Sequence, residues 1–243
     1  MDDPPTSTRA WNPVAAFVLA VGVIVAATLA ASVLPESVTT QYAWARQAVT
    51  QGLMAAIALG AMALSGRPRT EFGFRRPTPA KGHFKLCGLL LGAASTGVIL
   101  ALGSSGMGGR LAAYGLGGIV LWIWVVSSVV EEVFCRGWFQ SLVAGAVESD
   151  SHGERKRAAI LWSAALFGAM HLPLLWADMD IAAVVVILLS VTALGFICAT
   201  ARARTGSLRP AIAAHMMFNV GGFLAGVIYT IAYRIATGEL PTR

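Results

Sequence analysis

The stretch 119–136, with the sequence IVLWIWVVSSVVEEVFCR, is the most informative part of this chain. Its first part, 119–130, contains no charged residue, and Glu131, Glu132 and Arg136 follow directly. An apolar run of this kind predicts a membrane-spanning helix. Carboxylates are costly to ionise inside a bilayer, and they are rarely found there without a partner or a function. The stretch therefore predicts both a helical membrane fold and a buried polar site.

The composition of the whole chain agrees with a membrane protein. Of its 243 residues, 56% are hydrophobic and only 12% are charged, whereas soluble domains carry about 25% charged residues. We therefore expect an all-α, polytopic transmembrane helix bundle. The first apolar run is too long for the hydrophobic region of a signal peptide, which has about 7–15 residues, and it is interpreted as a true span.

The net charge of +6 does not indicate a nucleic-acid-binding protein. The basic residues cluster in short loops between apolar runs, which is the pattern that orients membrane proteins. The three cysteines, Cys87, Cys135 and Cys198, form no CxxC pair and are expected to be small buried hydrophobes. Cys135 lies one helical turn from Glu131, but nothing in an apolar helix would lower its thiol pKa enough for nucleophilic catalysis.

Apolar runs long enough to cross a bilayer, about 20 residues each, predict seven spans near 11–34, 47–65, 84–104, 113–145, 158–176, 181–201 and 208–236. The fourth is longer than a membrane requires. The last contains Gly221, Gly222 and Gly226, and a break at these glycines would give eight helices.

Loop charges predict the orientation of the bundle. The loops 66–85, 146–157 and 202–209 are rich in Arg and Lys, whereas the alternating loops 35–46, 105–112 and 173–180 are not. The positive-inside rule then predicts a cytoplasmic N-terminus, with all three basic loops on the cytoplasmic side. The plasma membrane is the default location, and an unbroken last span would leave the C-terminus outside.

Two later apolar segments each carry one histidine, His171 and His215. At about 1.5 Å per residue, Glu131 lies roughly 21 Å from the end of span four near 145, and His171 lies roughly 20 Å from the start of span five near 158. These groups are therefore expected to meet in the inner half of the membrane. Asn219 lies one helical turn after His215, and Phe167 lies one turn before His171 and is expected to pack beside its ring.

The spacing within the first motif suggests separate roles for its two glutamates. Glu132 and Arg136 are four residues apart, so they share a helix face and can pair. Glu131 points about 100° away, so the two carboxylates can differ in environment and in role. A buried Glu near a His is suited to activating water, and a His with an Asn can donate hydrogen bonds to an oxyanion. Each pair taken alone has an ordinary structural interpretation; their conjunction indicates an active site.

In this order, Glu131-Glu132-x-x-x-Arg136, Phe167-x-x-x-His171 and His215-x-x-x-Asn219 resemble the CPBP family of intramembrane proteases. That family includes CAAX prenyl endopeptidases, Abi proteins and bacteriocin self-immunity proteins. The sequence around the motifs, EEVFCRG and TGSLRPAI, is also similar. The resemblance covers about 113–222 and suggests three regions: transmembrane helices with a basic cytoplasmic loop (1–112), a catalytic core (113–222), and a helix end and tail (223–243).

The resemblance implies a glutamic-type intramembrane endopeptidase without a cofactor. Glu131 and His171 match the water-activating pair, and His215 and Asn219 match the pair that stabilises the oxyanion. Glu132, Arg136 and Phe167 match supporting positions. The implied partners are a membrane-associated protein or peptide substrate and the lipid bilayer, and no nucleic acid.

Three alternatives remain open. Two histidines and a glutamate suit a zinc protease, although the chain lacks HExxH and shows no evident carboxylate to orient the histidines. A non-catalytic membrane adaptor or immunity protein would need no complete motif set. A transporter or proton relay fits least, because the chain is short and contains no visible repeat.

Overall fold

The computed structural model describes residues 12–80, 82–103, 114–147, 151–176 and 179–238. Within these residues the chain consists of helices and turns, and no strand occurs. Seven helices in the described residues are long and apolar enough to cross a membrane. The predicted all-α, multi-pass bundle is therefore confirmed. The predicted loop 105–112 and the tail beyond 238 lie outside the described residues.

The helices follow one another with short connections: α1 (Pro13–Ser32), α2 (Glu36–Gln41), α3 (Ala45–Leu64), α4 (Phe84–Ala101), α5 (Gly115–Ala146), α6 (His152–Ala169), α7 (Ile181–Thr205) and α8 (Arg209–Thr237). Short 3₁₀ turns occur at Arg69–Phe72 and Leu172–Trp176. Helix α8 runs without a break through its glycines. The alternative of eight spans is therefore wrong.

Helix α1 shows how the sequence selects a buried face in a lipid-facing bundle. Ala16, Ala20 and Ala27 recur on one face and are almost completely buried, whereas Val18 and Leu29 are largely exposed. Lipid tails are as apolar as these side chains, so hydrophobicity alone does not decide which face packs. Small residues decide it, because they let helix backbones approach closely.

Helices α4 and α8 pack through glycines. A Cβ at Gly88 would overlap the carbonyl oxygen of Ala214, and a Cβ at Gly92 would overlap that of Phe218. The order of these contacts rises along both helices, so α4 and α8 run parallel. Helix α4 is the third span and α8 is the seventh. With three spans between them, the two must point the same way if the spans alternate in direction, and the parallel packing agrees with this.

The three basic segments lie together at one end of the bundle. The segment after α3 is bound to the α7–α8 turn, because Leu208 N–H donates to Gly73 O (3.0 Å) and Thr78 N–H to Thr205 O (3.0 Å). The guanidinium of Arg202 also donates to Glu71 O (2.7 Å). Residues of the α5–α6 region, including Ser141 and Lys156, line a groove with Arg67 and Arg202 at the same end. Their common side was expected from the loop charges.

Two helix boundaries differ from the sequence prediction. Helix α6 begins at His152 rather than near 158, because the Ser151 side chain caps it by accepting from Glu154 N–H. Helix α7 continues to Thr205 and ends at Gly206, whose φ of 68° favours glycine. Much of the two basic loops is thus helical. Polar residues lowered the apparent length of the apolar runs without ending the helices.

The long helix α5 positions the candidate site. It has 32 residues, as the predicted long fourth span requires. Two π-helical segments, Ile119–Ser127 and Val133–Phe139, flank one short α-helical segment, Ser128–Glu132. All residues from 131 to 140 are buried. Both glutamates thus lie in a short α-helical stretch between two widened turns, and such turns are frequent at functional sites.

Candidate active site

Glu132 and Arg136 form the predicted pair on α5. Arg136 Nη1 lies 2.9 Å from Glu132 Oε1, and both side chains are completely buried. A buried charge requires a close partner and further hydrogen bonds. Arg136 makes one such additional hydrogen bond: its Nη2 donates to the carbonyl oxygen of Gly195 on α7 (2.9 Å).

Phe167 on α6 is the common packing partner of the site. The guanidinium of Arg136 lies 4.3 Å from the centre of its ring, close enough for a cation–π contact. The rings of His171 and His215 each lie 5.3 Å from it, measured between centroids. Gly195 makes this arrangement possible, because a Cβ there would lie only 3.1 Å from Phe167 Cβ. The prediction that Phe167 packs beside His171 is confirmed, and the ring also touches His215 and Arg136.

His215 on α8 faces both glutamates. Its Nδ1 lies 3.1 Å from Glu132 Oε1, and its Nε2 lies 3.9 Å from Glu131 Oε2. The ionised carboxylate can only accept, so the hydrogen is on Nδ1, and this fixes the orientation of the ring. The 3.9 Å separation is too long for a hydrogen bond. Glu131 Oε2 and His215 Nε2 therefore remain available to a third group between or beside them.

His171 lies just beyond the last residue of α6, where the chain turns into the segment Leu172–Trp176. It is half-buried, and its Nδ1 lies 2.9 Å from the carbonyl oxygen of Phe167. A carbonyl oxygen only accepts, so Nδ1 carries the hydrogen and the neutral ring presents Nε2 as a lone pair. His171 is within electrostatic range of both Glu131 and His215. The depth predicted for it used a helix start near 158, which is wrong, yet His171 does approach Glu131.

Asn219 is engaged with α5. Its Nδ2 donates to the carbonyl oxygen of Ile123 (3.1 Å) and to Ser128 Oγ (3.2 Å). It lies one turn after His215 on the same helix, as predicted. Both of its N–H groups have acceptors on α5, so its contacts in this structure fasten α8 to the first π-helical segment.

The sequence did not point to Gln51 on α3. Gln51 is buried, and its Nε2 donates to Glu131 Oε1 (2.9 Å) and contacts Ser127 Oγ (3.3 Å). Gln47, one turn earlier, donates to the same hydroxyl (2.7 Å). The sequence did contain a pattern that could have predicted this contact: two glutamines lie four residues apart in an apolar span. Polar residues inside a membrane usually form hydrogen bonds with a neighbouring helix.

Tyr114, directly before α5, extends the hydrogen bonds of Gln47 and Gln51. Burial raises the pKa of its hydroxyl above the ordinary value. The hydroxyl therefore stays protonated and donates to Gln47 Oε1 (2.9 Å). A line of hydrogen bonds thus connects Tyr114, directly before α5, to Glu131 by way of Gln47, Ser127 and Gln51.

All three cysteines are free thiols. Cys135 and Cys198 are buried, as expected, but Cys87 is exposed on α4, so the expectation of burial is wrong for Cys87. Within the described ranges, no group of three or more His, Cys, Asp or Glu side chains has the geometry to hold a metal ion.

Comparisons with known proteins give one finding. Residues 114–221 match the family model described as type II CAAX prenyl endopeptidase Rce1-like. Searches of curated proteins and of solved structures returned no significant match. The matched region includes α5, α6, α7 and the part of α8 that carries His215 and Asn219, but it excludes Gln51.

Proposed function

Through residues 114–221 the chain belongs to the Rce1-like family of type II CAAX prenyl endopeptidases and is a membrane protease, and on this basis we propose that it is a glutamic-type intramembrane endopeptidase. Its substrates would be membrane-associated proteins or peptides. The family description supports a peptide bond near a C-terminal tail as the bond that is cleaved.

One observation carries the proposal: α5, α6 with the turn after it, and α8 bring two carboxylates, an arginine and two histidines together. The arginine and both histidines pack against the ring of Phe167. A structural ion pair needs only Glu132 and Arg136. Glu131 and His171 add a second carboxylate and a second imidazole whose lone-pair atoms are not used by that pair. This surplus is what proton transfer to and from water requires.

The proposed chemistry begins with a water molecule between Glu131 and His171. Glu131 accepts one proton from the water as the oxygen attacks the carbonyl carbon of the peptide bond, and His171 Nε2 orients the water by accepting its other hydrogen. The carbonyl π bond opens to an oxyanion. Glu131 then returns the proton to the leaving nitrogen as the carbon–nitrogen bond breaks, giving a carboxylic acid and an amine.

His215 and Asn219 are the proposed oxyanion donors. With Nδ1–H directed at Glu132, His215 donates from Nε2 when the ring carries its second hydrogen. Asn219 must release either Ile123 O or Ser128 Oγ to donate to substrate. In this proposal, substrate binding therefore loosens one contact between α8 and α5.

The two glutamates have different roles in the proposed site. Arg136 neutralises Glu132, and Glu132 in turn holds the ring of His215. Glu131 has no cationic side chain at hydrogen-bond distance among the described residues, so its carboxylate stays available as a base. The two adjacent glutamates thus take different roles because their helix faces differ.

The test compares membranes from cells that express the wild type, Glu131→Gln or His171→Gln by mass spectrometry of peptide termini. We expect cleavage products with the wild type only, since each substitution is nearly isosteric and removes one proton-transfer group. Glu71→Gln, at an exposed carboxylate, is the matched control and should retain the products. Identical termini in all folded variants would favour an adaptor or immunity protein instead.

The same cleavage reaction, carried out with and without a chelator, distinguishes a zinc protease from a glutamic-type protease. We propose that the residues act without a metal, so the purified protein should keep its activity after treatment with a strong chelator. Loss of activity that returns only when zinc is added would overturn this part of the proposal.

A further inference from the structure

Gln51 is the one side chain of the described residues that donates a hydrogen bond to Glu131. It comes from α3, outside the region that matches the family. Its Nε2 lies 2.9 Å from Glu131 Oε1, within a site where both groups are more than nine-tenths buried. A hydrogen bond to an ionised group is among the stronger ones in proteins.

The orientation of the Gln51 amide indicates what the side chain is for. Its Oε1 is buried and has no hydrogen-bond partner among the described residues. Leaving a buried acceptor unpaired is unfavourable, so a glutamine that served only to fasten two helices would be expected to use both ends. The carboxylate of Glu131 only accepts when ionised, and it therefore imposes the direction in which the amide nitrogen points.

The other polar groups around Glu131 come from different elements and contact its other oxygen or its neighbours. From α8, His215 Nε2 faces Glu131 Oε2 at 3.9 Å. His171 follows α6 and is within electrostatic range, and on α5 itself Arg136 is directed at Glu132. Gln51 thus holds Oε1 and leaves Oε2 on the side of His215.

We propose that Gln51 is a positioning residue that fixes the Glu131 carboxylate by its Oε1, so that Oε2 is presented to the attacking water. This role rests on the proposed function, because the water is the one that Glu131 would activate. Gln47 differs from Gln51, because it binds Ser127 and the carbonyl oxygen of Trp122 without touching Glu131. The two glutamines therefore form a matched pair for experiment.

The first experiment measures the chemical reactivity of the Glu131 carboxyl group and does not rely on proteolysis. Dicyclohexylcarbodiimide enters membranes and reacts with carboxyl groups, and mass spectrometry locates the product. We expect Gln51→Met, which keeps the volume and removes the donor that occupies Glu131 Oε1, to increase the modification rate of Glu131 on the order of tenfold. Gln47→Met should leave that rate unchanged. Glu132, which stays paired with Arg136, is the internal reference.

The outcomes are distinct. A wild-type rate in Gln51→Met overturns the proposal, and so does an equal increase in Gln47→Met, which would indicate general loosening of α3. If Gln51→Met does not fold, Gln51→Asn withdraws the same amide by one methylene and gives the same comparison.

The second experiment uses a substrate identified by terminal-fragment mass spectrometry. We expect Gln51→Met to lower kcat about tenfold or more with KM little changed, because it acts through Glu131 and not through substrate binding. Its pH–rate profile should change, whereas that of Gln47→Met should not. An unchanged kcat in a wild-type-active protein overturns the positioning role. If the labelling rate changes but the wild type cleaves nothing, the proposed protease function is overturned, whereas the effect of Gln51 on Glu131 is still supported.

Discussion

Helix α8 has two faces that are built on opposite principles. Towards α4 its backbone at Ala214, Phe218 and Gly221 lies in close contact, because each contact has a glycine on one of the two helices. Towards α5 it presents His215 and Asn219, which reach across by hydrogen bonds. One interface is therefore specified by small residues and the other by polar ones.

The difference shows what each interface can provide inside a membrane. Without a hydrophobic force between helices, the α4–α8 face depends on van der Waals contact over a close approach. The α5 face is less favourable to bury, because it removes charges from water or headgroups. In return it fixes the relative rotation of the helices that carry Glu131, Glu132 and His215. The first interface supports the fold and the second orients the site.

The largest loss of stability is expected for Arg136→Met, which breaks the polar face at its centre. The substitution would leave the completely buried carboxylate of Glu132 without its cation, and removing one partner of a buried pair typically costs about 3–5 kcal/mol. Denaturant unfolding of the purified protein in detergent measures this change.

The exposed pair Arg67–Glu71 provides the control. Its side chains are 39% and 46% exposed at a similar spacing, so Arg67→Met should cost at most about 1 kcal/mol. The double variant Glu132→Gln/Arg136→Met should regain part of the stability lost in Arg136→Met. Equal losses in Arg136→Met and Arg67→Met would mean that the buried pair contributes nothing beyond an exposed one.

An intermediate loss is expected for Gly92→Ala, which breaks the small-residue face. The added methyl group would overlap the carbonyl oxygen of Phe218, so α4 and α8 must separate. Overpacking of this kind costs roughly 1–3 kcal/mol. Gly97→Ala is the matched control on the same helix, because a Cβ there meets no atom within 4 Å. A Gly92→Ala protein as stable as Gly97→Ala would refute the close approach of the two helices.

The sequence predicted the polar face better than the small-residue face. The pair Glu132–Arg136 and the contact of Phe167 with His171 follow from four-residue spacings within single helices, and the structure contains both. Seven spans follow from apolar runs of sufficient length. The proximity of Gly88 to Ala214 did not follow, because glycine spacing on one helix does not identify the helix that approaches it.

Sequence patterns within single helices also failed to predict the contact of Gln51 with Glu131 and the first residue of α6. Local spacing cannot show that α3 passes beside Glu131, since that contact joins residues on helices distant in sequence. The basic residues after His152 lowered the apparent apolar character of α6, although Ser151 caps it and the helix continues. Patterns within one helix were thus informative, whereas contacts between helices and polar helix ends required the structure.

The smallest change in stability is expected for Asn219→Leu, at the contact of α8 with α5. Hydrogen bonds between membrane helices average about 0.6 kcal/mol each, so losing the two that Asn219 donates should cost about 1 kcal/mol. If the proposed function holds, cleavage should respond far more, because loss of one oxyanion donor lowers kcat roughly 10²–10³-fold. Thr230→Val, at an exposed site later on α8, should change neither. A variant with wild-type kcat and the small stability loss would make Asn219 a helix fastener, and the polar face of α8 would then meet the substrate through His215 without it.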